Sequence, residues 1–379
     1  MLTPSPFHPH VLASEWVFRW QTPYSIHHRS QLEASFPSSH LNRLQDVLGA
    51  AVAPKTQETW GAGLLRFNQY CDSISLPEEG RMPASELLLA LFVANCAAGD
   101  VSGSTVNKWL AGIHRGHQIA DAPWFGGQLL SQAKKGATRL APTSSRRERR
   151  QPVTLKHLDA LRRRLVLSNS FDAAVYAVAC VAFWACCRLG ELLILSRHGF
   201  NLQKNVSRGC PKNHGVAKFG RRFSTFHLPD TKTKGADGDD IYLIDCPLLS
   251  NPVTAFEHHL ASNPQIPDDA PLFAWQTAEG GWAPMTRAWF MDRCRVIWEE
   301  EGLERLDGHS FRIGGTTHHL MSGIDPWVVM VIGRWSSKSF LTYWRKVEEI
   351  LPNFISEAYE SVESLTLRMS RFTHNMSLS

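Results

Sequence analysis

Gly308-His309-Ser310-Phe311-Arg312 is the stretch on which the reading of this chain turns, with Trp335 lying 23 residues beyond Arg312 and Tyr343 eight residues further. A second arginine lies far upstream in Cys187-Arg188-Leu189-Gly190-Glu191-Leu192. No element of this set is specific alone, since a lone H-x-x-R is a common accident. The ordered set is more informative. Two guanidinium groups present rigid, permanently charged forks that match the non-bridging oxygens of one phosphate. A tyrosine beside them can attack phosphorus and hold it covalently. His309 and Trp335 supply further donors for the charge that develops in the transition state. Arg188 follows a wholly apolar segment, where a charge is costly without an anion or an ion pair. Glu191 is both its candidate ion-pair partner and the residue expected to orient it.

The pattern resembles that of the tyrosine recombinases, the family of phage integrases and Cre-like enzymes. The family's R-x-x-E-L box is matched by Arg188, Glu191 and Leu192, and its H-x-x-R box by His309 and Arg312. Trp335 matches the His or Trp that follows, and Tyr343 the nucleophile. The remaining catalytic group of the family is a lysine on a β-hairpin between the boxes. Lys232 in Thr231-Lys232-Thr233-Lys234 is the better match, with Lys234 its rival. Two departures are visible: the interval from Trp335 to Tyr343 is eight where the family more often has nine, and Cys186 stands where a glycine is usual. The Trp-Ser-Ser spelling at Trp335 is similar to recombinases of eukaryotic mobile elements such as the Cryptons. The resemblance covers roughly residues 50–350.

It implies strand exchange on double-stranded DNA through a 3′-phosphotyrosyl intermediate, with no cofactor, metal or ATP. It also implies a homo-oligomer, dimer to tetramer, assembled on the DNA, and an origin in a mobile element. Two other readings stay open: a domesticated DNA-binding protein of the same fold that has lost turnover, and a monomeric topoisomerase of type IB.

The chain has 379 residues, 43% hydrophobic and 20% charged, which suits two domains with real cores. Its net charge of +5 is unevenly placed. Residues 131–164 hold eleven Lys/Arg against Glu148 and Asp159, a local +9 in 34 residues. Lys134, Lys135, Arg139, Arg146, Arg147, Arg149 and Arg150 are the candidate DNA contacts within this run, and Lys234 is another outside it. Such concentration favours a polyanionic partner. The eight cysteines form no C-x-x-C pair, and reduced buried thiols are expected. Cys210 and His214 lack the second ligand pair that a zinc site needs. No secretory signal is legible, and the longest apolar run, residues 173–187, is too short to span a bilayer. An intracellular protein is expected, nuclear if eukaryotic, with no membrane partner.

Residues 1–45 show no sustained period and read as a flexible arm. Over 46–140 helical signals dominate and predict a bundle. Thr56 is a candidate cap for a helix carrying Trp60, Leu64, Phe67 and Tyr70. Pro83-Ala84-Ser85 opens a helix with Leu87, Leu88, Leu91, Phe92 and Cys96 on its inner face. Ser104 or Thr105 starts a third, with Val106, Trp109, Leu110 and Ile113. Residues 141–152 read as a basic linker, and Thr154 then caps a helix carrying Leu155, Leu158, Leu161 and Leu165. Strand-like alternation at 223–228 and 241–245 flanks a Gly/Asp-rich turn. Helical patterns follow at 252–262, 286–301, 310–322, 326–333 and 337–346. Gly314 and Gly315 near the start of one of these suggest backbone N–H groups that favour a phosphate. Residues 347–379 read as a C-terminal helix and tail, with Val347, Ile350, Leu351, Phe354 and Ile355 as an apolar stripe suited to a neighbouring subunit. The expected fold class is mainly α with a small β component: an N-terminal helical bundle plus a mixed α/β catalytic domain of tyrosine-recombinase type over 153–346.

Overall fold

The computed structural model describes residues 5–146, 148–343 and 348. The apolar stripe from Val347 to Ile355 and the alternative nucleophile Tyr359 lie outside the described residues. The chain divides into two compact units, Met1–Glu148 and Arg149–Ser379.

The first unit is helical. It comprises α1 (Trp16–Arg19), α2 (Pro23–Ser35), α3 (Ser38–Ala50), α4 (Pro54–Ser73), α5 (Glu86–Cys96), α6 (Gly103–Ile119) and α7 (Gln128–Leu140). Its centre is the crossing of α4 and α6, which two glycines bring together. A Cβ on Gly63 would lie 2.5 Å from the Trp109 carbonyl oxygen, and one on Gly112 would lie 2.2 Å from that of Trp60. Neither position admits a side chain. Leu64, Phe67, Phe92, Val106 and Ile113 fill the core around this crossing.

Several local expectations are corrected here. The described part of the expected arm, residues 5–45, is structured: Trp16, Val17 and Trp20 are buried in the core of the first unit, with Trp20 edge-on to Phe67 at 6.1 Å. Three isolated aromatic or β-branched side chains give no period, yet each buries a large apolar area, which outweighs poor local propensity. Thr56 lies within α4, which Pro54 opens after Ala53. On α5 the inner face is Leu88, Leu89, Phe92 and Val93, while Leu87 and Leu91 are exposed. An almost wholly apolar helix carries no face signal of its own, so its neighbours decide. The cap of α6 is Ser102, which accepts from the Thr105 N–H.

In the second unit come α8 (Leu155–Arg164), α9 (Ser170–Trp184), the single turn α10 (Leu189–Leu192), α11 (Pro252–Ser262), α12 (Arg287–Glu300), α13 (His309–Met321) and α14 (Pro326–Ile332). Helix α9 is apolar all round and buried from Asp172 to Phe183, as a central helix must be. Asn169 caps it, and Asp172 in its first turn takes a two-pronged bond from Arg293 of α12, both arms at 3.0 Å.

A three-stranded antiparallel sheet lies on this core: β1 (Lys212–Val216), β2 (Arg222–Leu228) and β3 (Asp239–Ile244), with β2 central. Phe226 and Leu228 of β2 and Ile241 and Leu243 of β3 face inward. Strand β1 falls outside the strand-like alternation read at 223–228 and 241–245; its exposed edge needs no apolar alternation. A two-stranded ribbon, β4 (Trp275–Gln276) and β5 (Trp282–Ala283), completes the strands. The segment expected as a helix over 337–346 is a 3₁₀ turn at Lys338–Tyr343 as far as it is described. No helix of the described residues is long and apolar enough to cross a membrane. Cys210 and His214 belong to no group of metal-ligating side chains among the described residues.

Replacing Trp20 with alanine should destabilise the protein by about 3–5 kcal/mol, the usual cost of emptying a buried aromatic site. Denaturant unfolding measures this directly; a change below about 0.5 kcal/mol would return residues 1–45 to the status of an arm.

Candidate active site

Two helix ends build the site. Helix α9 stops in a Schellman turn: the Cys186 N–H bonds the Phe183 carbonyl at 3.1 Å and the Cys187 N–H bonds that of Ala182 at 3.0 Å. Cys186 takes the left-handed conformation at φ 47°. This is the position where the resemblance expects glycine. Helix α14 ends the same way, with the Arg334 N–H on Val331 at 3.0 Å, the Trp335 N–H on Met330 at 3.1 Å, and Arg334 at φ 57°. A side chain in this region costs about 1–2 kcal/mol, so both turns need compensation.

Arg312 supplies part of it. It lies on α13, which packs very closely on its neighbours at two glycines. A Cβ on Gly315 would lie 1.9 Å from the Phe183 carbonyl oxygen, and one on Gly314 would lie 2.0 Å from that of Val153. These glycines sit in mid-helix and serve close packing. The Arg312 guanidinium is wholly buried. Nη1 donates to the Cys186 carbonyl at 2.5 Å and Nη2 to that of Gly333 at 2.8 Å, so one side chain ties both Schellman turns. Its Nε has no partner among the described residues. Burial, then the nearby Arg188, lowers its pKa to about 10, which leaves it charged at neutral pH.

The rings follow. The Trp335 ring lies over the Arg312 guanidinium at 4.0 Å, and Tyr343 lies at 5.5 Å from Trp335 and 5.3 Å from His309. Tyr343 is half-buried, with its ring 6.0 Å from Arg312. The eight-residue interval therefore leaves the phenol among its expected partners, and the interval of nine is met from Arg334.

Glu191 joins the arginines. Its carboxylate accepts from Arg188 Nη1 at 2.7 Å, from the Arg188 N–H at 2.9 Å and from Arg334 Nη2 at 2.8 Å. Burial pushes the Glu191 carboxyl up, but Arg334, the Arg188 N–H and the Arg188 guanidinium outweigh it and hold the pKa below the ordinary carboxylate value. Arg188 is the more open arginine, its side chain 28% exposed. The sequence reading assigned Arg334 no role. Its mark in the sequence is an arginine wedged between Gly333 and Trp335, a place where a solvated charge would not go.

Arg188, Glu191, His309, Arg312, Trp335 and Tyr343 thus come together, and Lys232 does not. It sits exposed on the β2–β3 turn, which Thr231 and Gly235 close, and makes no hydrogen bond or ion pair among the described residues. Lys234 pairs with Asp239 at 3.0 Å. Of the candidate DNA contacts, Lys134, Lys135 and Arg139 lie on α7, Lys134 half-buried and the others exposed. Arg146 and Arg149 are exposed, Arg150 pairs with Asp307 at 3.6 Å, and Arg147 lies outside the described residues. Part of the basic run is neutralised within the fold: Arg163 and Arg164 both bond Glu301, at 2.7 and 2.8 Å.

Burial and the field of Arg150, Arg312, Arg188 and Arg287 depress His309 to about 4. It is neutral at pH 7, and the unfolded chain binds its proton more readily than the folded one. Its contribution is full above pH 6.5 and is lost as pH falls toward 4. A His309→Gln variant should lose less stability than the parent between pH 6.5 and 4, read from denaturation midpoints at each pH. Parallel curves would place His309 in solvent.

By sequence the chain matches no protein-family model and no curated protein. By structure it is similar to the XerH site-specific recombinase bound to its palindromic difH substrate in a post-cleavage complex. That likeness has a TM-score of 0.52 at 14% identity, over 96% of this chain and 99% of that one. A pre-cleavage complex of XerH gives 0.50 at 13% identity, over 89% and 93%. The chain has the fold of the tyrosine recombinases.

Proposed function

We propose that the protein cleaves and rejoins double-stranded DNA at specific sites, with Tyr343 as nucleophile. The observation that carries this reading is the convergence of Tyr343, His309, Trp335 and the Arg188–Arg312 pair in one strongly positive cluster. Three guanidinium groups against one carboxylate, with His309 neutral, leave a surplus of two positive charges. A phosphodiester carries one negative charge and its pentacovalent transition state two, so the surplus favours the transition state over the ground state.

In this reading the Tyr343 oxygen attacks the phosphorus, its proton passing to His309, the neutral base beside it. The bond to the 5′ oxygen breaks and a 3′-phosphotyrosyl ester forms. Lys232 protonates the leaving 5′ oxygen; it is free to reach a duplex, whereas Lys234 is held by Asp239. Rejoining is the reverse, with a 5′ hydroxyl attacking the ester. The Trp335 ring covers the Arg312 guanidinium, so Arg188 is the more open arginine toward a phosphate. The sequence resemblance supports an origin in a mobile element and assembly as dimer to tetramer on DNA, which two-site recombination requires and a monomeric topoisomerase does not.

Tyr343→Phe should abolish covalent attachment to a nicked suicide duplex while DNA affinity stays within about threefold, since only the attacking oxygen is lost. An adduct that persists in denaturing gels would move the nucleophile elsewhere.

Neutralising Arg146, Arg147 and Arg149 together should weaken binding to every duplex alike. The slope of log affinity against log salt should become shallower by up to about 2.7, at roughly 0.9 per phosphate contact. An unchanged slope would make the run a solvated segment.

A further inference from the structure

Arg334 is a buried arginine of the site to which the proposed chemistry gives no role beyond its charge. Its side chain is 5% exposed. Nη1 donates to the Ala185 carbonyl at 3.2 Å and to that of Ile332 at 3.0 Å, while Nη2 donates to Glu191 at 2.8 Å. The residue thus spans the same two helix ends as Arg312, one carbonyl earlier on each. Carbonyl groups at a helix C-terminus carry the negative end of the helix dipole, and a cation there is favourable. A residue at φ 57° would ordinarily be glycine, so the backbone alone would prefer Arg334 absent. The fork of a guanidinium is what the position uses, since a lysine ammonium could not reach three acceptors spread over two turns in one plane.

We propose that Arg334 is a positioning residue: through Glu191 it locks the turn that carries Arg188 to the turn that carries Trp335 and Tyr343, so that phosphate-binding arginine and nucleophile move as one body. The lock rests on geometry alone; its consequence for catalysis rests on the recombinase reading. Arg334 does not meet the phosphate in this arrangement. Losing it leaves Arg312 as the remaining tie and loosens two segments that must be in register within a fraction of an ångström for in-line attack.

The test uses the full-length protein and two variants, Arg334→Gly, which suits the backbone, and Glu191→Gln, which keeps shape and removes charge. In hydrogen–deuterium exchange of the DNA-free protein, either variant should speed exchange about tenfold in residues 186–192 and in 333–343 together. On a suicide duplex either should slow adduct formation about 100-fold with DNA affinity within about threefold, the signature of lost alignment. Arg334→Lys should restore little of the rate. Exchange that rises around residue 334 alone, in whichever variant folds, overturns the lock. A parent protein that forms no adduct while the variants show the paired exchange keeps the lock and sinks the recombinase reading. A parent that forms adduct, with Arg334→Gly cleaving at the parent rate, sinks the role in catalysis.

Discussion

The second unit depends on two guanidinium groups that bridge the ends of two helices. Arg312 holds the carbonyl groups of Cys186 and Gly333, and Arg334 those of Ala185 and Ile332. The last carbonyl groups of a helix have no partner within it, and buried they would cost free energy. Burying a guanidinium is also costly unless its donors are met. Each liability offsets the other here. The geometry is possible because α13 approaches α9 so closely that residue 315 has no room for a Cβ.

The electrostatics follow from that brace. Glu191 serves two arginines and leaves the cluster positive, and burial together with that field keeps His309 neutral. A neutral imidazole can accept a phenolic proton at pH 7, where an imidazolium could not. Trp335 and Tyr343 close over Arg312 as aromatic faces, which stabilise a buried cation without a second carboxylate that would repel phosphate.

In the first unit packing wins over local signal. Trp16 and Trp20 join the core from a segment with little periodicity, and Gly63 and Gly112 set how near α4 and α6 come. Charge behaves similarly in the second unit, where Arg163 and Arg164 of the basic run are absorbed by Glu301 of α12, while Arg149 remains exposed at its start. A count of basic residues along the chain overstates what a polyanion meets.

The sequence by itself determined the two arginine boxes, the strands β2 and β3, and the helices α11 to α14. Each of these is written in side-chain identity at fixed spacing or in local period, and both are properties of a short stretch of chain. Only the tertiary structure decided the inner face of α5, the burial of Trp16, Val17 and Trp20, the edge strand β1 and the hydrogen-bond partners of Arg312 and Arg334. An apolar helix has no preferred side until neighbours arrive, an edge strand needs no alternation, and an arginine in a sequence does not say whether it points at water or at a carbonyl. Lys232 shows the same limit from the other side. Its residue type and hairpin were legible, but its distance from Tyr343 depends on a turn whose reach no local spacing encodes. Short-range chemistry is spelled in the chain; the partners that make a buried charge affordable include residues more than a hundred positions away.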